Sequence, residues 1–117
     1  MDPEAMKART KQFALRVVRL VAALPRTQVA RIIGGQLLDA GTSVGANYRA
    51  ACRARSRAEF LAKLGIVEEE ADEAIYWMEV LVESGIVPHK RLALLMQEGH
   101  EILSIVVASL KTARRSR

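Results

Sequence analysis

Apolar positions recur along this chain at alternating intervals of three and four residues, interrupted only at a few punctuated corners. Phe13, Val17, Leu20 and Leu24 form the first set, which stops at Pro25 and is preceded by Asp2-Pro3, an N-cap with proline at the first helical position. Ile33, Leu37, Ala40, Val44, Asn47 and Ala51 form a second, heptad-like set with one polar member. Ser56-Arg57-Ala58-Glu59 then reads as a capping box, the serine oxygen taking the N3 amide and the glutamate returning to the serine amide. Phe60, Leu64, Val67, Ala71, Ala74, Met78 and Leu81 hold the period as far as Ser84, and Gly85 stands where a left-handed C′ residue is needed. After Pro88 the seam resumes as Leu92, Leu95, Gly99, Ile102, Val106 and Ser109.

The spacing predicts helices over about residues 3–24, 27–55, 57–84 and 88–112, with a basic tail at 111–117. Four amphipathic segments on short connections define an all-α, up-down-up-down four-helix bundle as a single domain over residues 1–117. The scarcity of aromatics and the long stretches of Ala, Leu, Glu, Lys and Arg agree with helices, and no strand pattern competes. ILSIVVASL is nine residues without a charge, short of the ~18 a spanning helix needs. The N-terminal MDPEAMKARTKQF has no apolar stretch, and the lone Cys52 has no disulfide partner within the chain. The expectation is a soluble, cytoplasmic protein with no membrane partner.

Two features point to self-association. Gly34, Gly35, Gly41 and Gly45 lie inside the second helix, where each costs about 1 kcal/mol relative to alanine. Close backbone approach to another helix is the usual compensation. Met96, Leu103, Val107 and Leu110 form a further apolar set off the last seam, as Ala14, Val18 and Val21 do beside the first, and a subunit interface is the simplest use for them.

Catalytic chemistry finds little footing. His100-Glu101 lacks a second histidine four residues after the first, and neither His89 nor His100 completes Glu-x-x-His, since Ile86 and Gln97 occupy the positions three before them. Cys52 sits among Arg49, Arg53 and Arg55, which would favour a thiolate, but the plainer account is a small packed residue. Glu68, Glu69, Glu70, Asp72 and Glu73 go most of the way round one helix, so they read as a solvated face, with a member or two paired to arginines, and not as a metal site. Tyr76 and Trp77 read as core and interface anchors, and Asn47 as a register device bonding across helices. No cofactor, no metal and no enzymatic activity are expected.

The charge is what demands a partner. Residues 1–57 carry eleven Lys/Arg against three Asp/Glu, residues 58–110 three against ten, and residues 111–117 four more cations, for a net +5. Cations in the last turn of a helix complement its dipole, which accounts for one or two of them. In an up-down-up-down bundle, however, Lys7, Arg9, Lys11, Arg49, Arg53, Arg55, Arg57, Lys111, Arg114, Arg115 and Arg117 all fall at one pole. Such a concentration is the footprint of a polyanion, nucleic acid above all, and the lack of aromatics among these positions favours phosphate contact over base stacking.

The segment SVGANYRAACRARSRAEFLAKLGIVEEEADEAIYWMEVL, with FALRVVRLVAALP and IGGQLLDAGTSVGAN upstream, closely resembles the four-helix bundle proteins encoded in intervening sequences of bacterial 23S rRNA genes. The resemblance covers nearly the whole chain. It implies a left-handed bundle assembling into a ring-like homopentamer without enzymatic activity, similar in fold to the basic accessory protein of diversity-generating retroelements, which binds nucleic acid and a reverse transcriptase. Asn47, Tyr48, Arg49, Arg53, Phe60, Glu69, Tyr76 and Trp77 match motif positions to which no role is attached, while Ala50 stands where many relatives carry a glutamate. The reading is thus a homo-oligomeric bundle that binds structured RNA, or another nucleic acid, through a basic pole. The competing reading is an oligomeric scaffold whose arginines pair with acidic helices of neighbouring subunits and whose partner is a protein.

Overall fold

The computed structural model describes residues 2–115, which form four α-helices: α1 (Pro3–Ala22), α2 (Gln28–Cys52), α3 (Arg57–Glu83) and α4 (His89–Arg115). There is no strand among the described residues. The helices pack antiparallel in chain order into a rod of 49 × 21 × 20 Å, with α4 returning beside α1.

Local chemistry sets the helix ends. The Asp2 carboxylate accepts from the Ala5 amide at 3.1 Å, the Thr27 hydroxyl from Ala30 at 3.1 Å, and the Ser56 hydroxyl from Glu59 at 3.1 Å, each satisfying an amide that the helix leaves without a partner. Glu59 completes its cap one residue earlier than the sequence suggests, accepting from the Arg55 amide at 3.4 Å and not from Ser56. α1 ends two residues before the predicted Leu24: the amides of Ala23 and Leu24 bond three residues back, to Leu20 and Val21, which tightens the last turn ahead of Pro25. α2 likewise ends at Cys52, not Arg55, with Arg53 and Ala54 bonded three residues back. Gly85 does take the left-handed conformation, φ +80°, and the Ile86 and Gly85 amides return to Leu81 and Val82. The segment expected as a tail from 111 is helical as far as Arg115.

Most positions of the predicted seams form the core, while Leu24, Ile33, Asn47, Phe60 and Ser109 are only half-buried. Phe13, Val17, Leu37, Val44, Leu64, Val67, Met78, Leu92, Ile102 and Val106 are all buried, joined by Met6, Leu20, Ile75 and Val87. Leu110, assigned by sequence to a second face, belongs to this core, whereas Met96 and Leu103 pack only partly against it. Its mean apolarity and length would allow α4 to cross a membrane, but Leu92, Leu95, Ile102, Val106 and Leu110 face the other helices, as in the core helix of a bundle.

The glycines of α2 have a use inside the chain, so the inference that they serve a subunit contact is corrected. A Cβ on Gly41 would lie 2.8 Å from both methyl groups of Val17, one on Gly34 2.8 Å from Leu24, and one on Gly45 3.2 Å from the carbonyl oxygen of Thr10. Three glycines on one face therefore let α1 lie close against α2, most tightly at Gly41. Gly35, outside this face, has nothing within 4 Å of its Cβ position. Beside Gly45 the hydroxyl of buried Thr10 donates back to the Met6 carbonyl at 2.9 Å, and among the described residues no buried side-chain polar atom lacks a partner.

Because Val17 is held stiffly by its β-branching, Gly41→Ala must displace it and should cost about 1–3 kcal/mol despite the gain in helix propensity. Gly35→Ala should stabilise by about 0.5–1 kcal/mol. Urea denaturation of the two variants checks this, and equal stabilisation by both would show that α1 is not held tightly on α2.

Candidate nucleic-acid interface

The antiparallel packing brings the start of α1, the end of α2, the start of α3 and the end of α4 to one end of the rod. Around that end the predicted cations fall into distinct groups.

A groove of about 600 Å³ between α1 and α2 is lined by Glu4, Lys7, Ala8, Lys11, Ala14, Thr42, Gly45, Ala46 and Arg49. A second, of about 490 Å³ between the end of α2 and the start of α3, is lined by Ala46, Arg49, Ala50, Arg53, Arg55, Glu59 and Lys63. Ala46 and Arg49 belong to both, so the two make one concave track across the C-terminal half of α2. Six cations line it, Lys7, Lys11, Arg49, Arg53, Arg55 and Lys63, against two acids, Glu4 and Glu59. Small residues form its floor because α1 packs there against the glycine face of α2. Ala50 belongs to the second groove, so the acid expected from the resemblance is missing from among these cations.

Among the described residues no ion pair engages Lys11, Arg49, Arg53, Arg55 or Lys63, while Lys7 meets Glu4 at 3.2 Å within its own helix. Such an exposed pair is worth little and leaves Lys7 available. Lys63 was missed by sequence reasoning, which counted only the residues at helix ends. Its signal was its place seven residues after Ser56, two turns along α3 on the side facing α2.

Arg9 is differently committed. Its guanidinium reaches across to α4, where Nε and Nη2 each donate to a Glu98 oxygen at 2.7 Å and Nη2 also donates to Glu101 at 2.8 Å. The fork-shaped pairing, with both partners largely shielded from solvent, holds the Glu98 carboxyl below the usual carboxylate range, chiefly through the hydrogen bond from Arg9 and against the opposing effect of burial. Arg9 thus ties α1 to α4 and does not stand with the track.

Arg57 also has a partner inside the chain, donating through Nη2 to the Ala113 carbonyl and so joining the start of α3 to the end of α4. Lys111, Arg114 and Arg115 are exposed on the last turns of α4; Arg117 lies outside the described residues.

The remaining motif positions separate. Asn47 is half-buried, and its amide donates to the Ser43 carbonyl at 2.9 Å in its own helix, so the expected bond across helices is replaced by one to the preceding turn. Tyr48 and Phe60 are half-buried at the basic end. Burial, followed by the hydrogen bond with Cys52 and the charges nearby, pushes the Tyr48 phenol up to about 12. Tyr76 and Trp77 differ: Trp77 is partly buried and packs against the core, whereas Tyr76 is 54% exposed, meets Trp77 edge-on at 4.9 Å, and lies in the second half of α3 away from the track. Trp77 donates to Glu73 at 3.3 Å, and neither Glu73 nor Glu69 pairs with an arginine of α2. Among the described residues no group of three or more His, Cys, Asp or Glu side chains is placed to hold a metal ion.

The fold defines the class, an all-helical four-helix bundle with a cation-lined track toward one end. The chain belongs to the 23S rRNA-intervening sequence proteins, whose sequence pattern matches residues 5–108. It is similar, at 33% identity and a TM-score of 0.88 over 95% of this chain and 99% of the other, to the crystal structure of a protein of unknown function from the S23 ribosomal protein family of Bacteroides thetaiotaomicron. No curated protein matches the sequence. Neither the family nor this neighbour is described as an enzyme.

Glu98 yields a prediction of sign as well as size. A carboxylate held below its unfolded-state value stabilises the fold above the ordinary carboxylate range, and that contribution is lost as the pH falls through the lowered value. Glu98→Gln should therefore cost about 1–3 kcal/mol near neutral pH. The gap to the unsubstituted protein should narrow below about pH 4. Melting curves across that range check it, and a gap independent of pH would mean that Arg9 and Glu98 do not pair as charges.

Proposed function

We propose that this protein is a non-enzymatic, cytoplasmic bundle that binds structured RNA through its basic end and assembles as a homo-oligomer, with the left-handed pentameric ring of its family resemblance as the expected form. The observation that carries the reading is the unpaired state of the track: Lys11, Arg49, Arg53, Arg55 and Lys63 surround a concave surface with no ion pair to any of their side chains among the described residues. Two cations beside the track, Arg9 and Arg57, are by contrast committed within the chain. Exposed cations concentrated in a groove instead attract a polyanion and release its condensed counterions. The name of the family, which refers to 23S rRNA, agrees with RNA as that polyanion.

Self-association is supported at the opposite end. Val29 and Ile32 on the first turns of α2, Leu94 near the start of α4, and Leu15 and Val18 on α1 are large apolar residues left exposed outside the track, interspersed with Arg16, Arg31 and Arg91. One end would thus assemble while the other stays free to bind.

A second reading is favoured by one observation. Glu69, Asp72 and Glu73 are exposed on α3 with no ion pair among the described residues, and a neighbouring subunit's arginines would complement them. In that scaffold the protein partner, a reverse transcriptase or another protein, replaces the RNA.

Replacing Arg49 and Arg53 with Gln separates the two readings. In the RNA reading, affinity for structured RNA falls severalfold, the slope of log K against log salt drops by roughly 0.7–0.9 per lost contact, and all sequences are affected alike. Melting temperature and a light-scattering mass several times 12.9 kDa stay unchanged. Unchanged RNA affinity with a collapsed mass would establish the scaffold instead.

A further inference from the structure

At the basic end all four helices contribute to a pocket of about 390 Å³, whose walls include Pro3 of α1, Tyr48 and Cys52 of α2, Phe60 of α3 and Ser109 of α4, with Ala54 just beyond α2. The cation track does not include it, since none of these residues lines either groove. Its volume lies at the low end of the ~300–1,000 Å³ typical of small-molecule sites, which suits one planar ring system.

We propose that this pocket accepts a single unstacked base of an RNA loop, a role that rests on the RNA-binding reading and adds a preference for unpaired nucleotides to it. Two aromatic rings, among walls that also include Pro3 and Leu64, provide stacking surface. The walls also carry polar handles of definite character. The Ser109 hydroxyl donates its proton to the Ile105 carbonyl at 2.9 Å, which leaves its lone pairs for an incoming N–H. The Tyr48 phenol stays neutral at physiological pH and so provides a hydroxyl without a repelling charge.

Charge complementarity fixes the occupant as part of a polyanion. In the chain, Arg53 and Arg55 flank Ala54, which lines the pocket. A base lodged in the pocket would therefore have cations beside its own and the adjoining phosphates. Asp2 and Glu4 approach Tyr48 from the α1 side, so the backbone would run along the α2, α3 and α4 sides.

The test compares the full-length protein's affinity for a hairpin RNA with an unpaired loop and for a blunt duplex with the same number of phosphates, at one salt concentration. The hairpin should bind roughly tenfold more tightly, the size of one base–aromatic stack. A fluorescent adenine analogue in the loop should be quenched on binding. Ala54→Phe, which fills the pocket, and Phe60→Leu, which removes a ring but keeps its apolar volume, should abolish the preference while leaving duplex affinity and its salt slope intact. Equal binding of hairpin and duplex by the unsubstituted protein, or a preference that survives both variants, would overturn the proposal while the RNA-binding reading stands. Failure to bind either RNA would overturn both.

Discussion

The arrangement of this protein depends on how closely α1 can lie against α2. Gly34, Gly41 and Gly45 present a strip of bare backbone at one face of α2, and Leu24 just beyond α1 with Val21, Val17 and Thr10 of α1 occupy it in antiparallel order. The cost of helical glycine, about 1 kcal/mol each, is offset only if that contact is dense. It also sets the register of the basic end, because seating Thr10 on Gly45 puts Lys7 and Lys11 in the same groove as Arg49. A helix kept further away by side chains would carry its lysines out of that groove.

With α1 fixed on α2, the charges divide into those used by the fold and those left over. Arg9 spans to Glu98 and Glu101 on α4, the neighbour with which α1 packs least extensively, so an ion pair fastens the seam where apolar contact is thinnest. Arg57 fastens α3 to α4 at the basic end. The track cations have no such use.

Much of the fold was legible in the sequence because its determinants are local. Asp2, Thr27, Ser56 and Gly85 terminate helices through bonds reaching no more than five residues, and the apolar period needs no tertiary information. The candidate site was legible only in outline, since chain order gives the end of the rod but not the angle of each side chain around its helix. That angle sends Arg9 to α4, brings Lys63 into the groove and turns Tyr76 to solvent. The glycines were recognised as a close approach but assigned to the wrong partner, because nothing in a single sequence says whether the facing helix belongs to the same chain. Asn47 bonds its own preceding turn, an option open to an asparagine wherever no partner crosses.

The central claim, that the basic end and not the whole basic chain meets RNA, is tested most directly by lysine reactivity. The five lysines report on different places: Lys7, Lys11 and Lys63 line the track, Lys111 lies at the same end, and Lys90 is exposed at the start of α4 at the other end. Acetylation of the free and RNA-bound protein, read residue by residue by mass spectrometry, should show Lys7, Lys11 and Lys63 protected and Lys90 unchanged. Protection of Lys90 to the same degree, or of none of the track lysines in a saturated complex, would contradict the account.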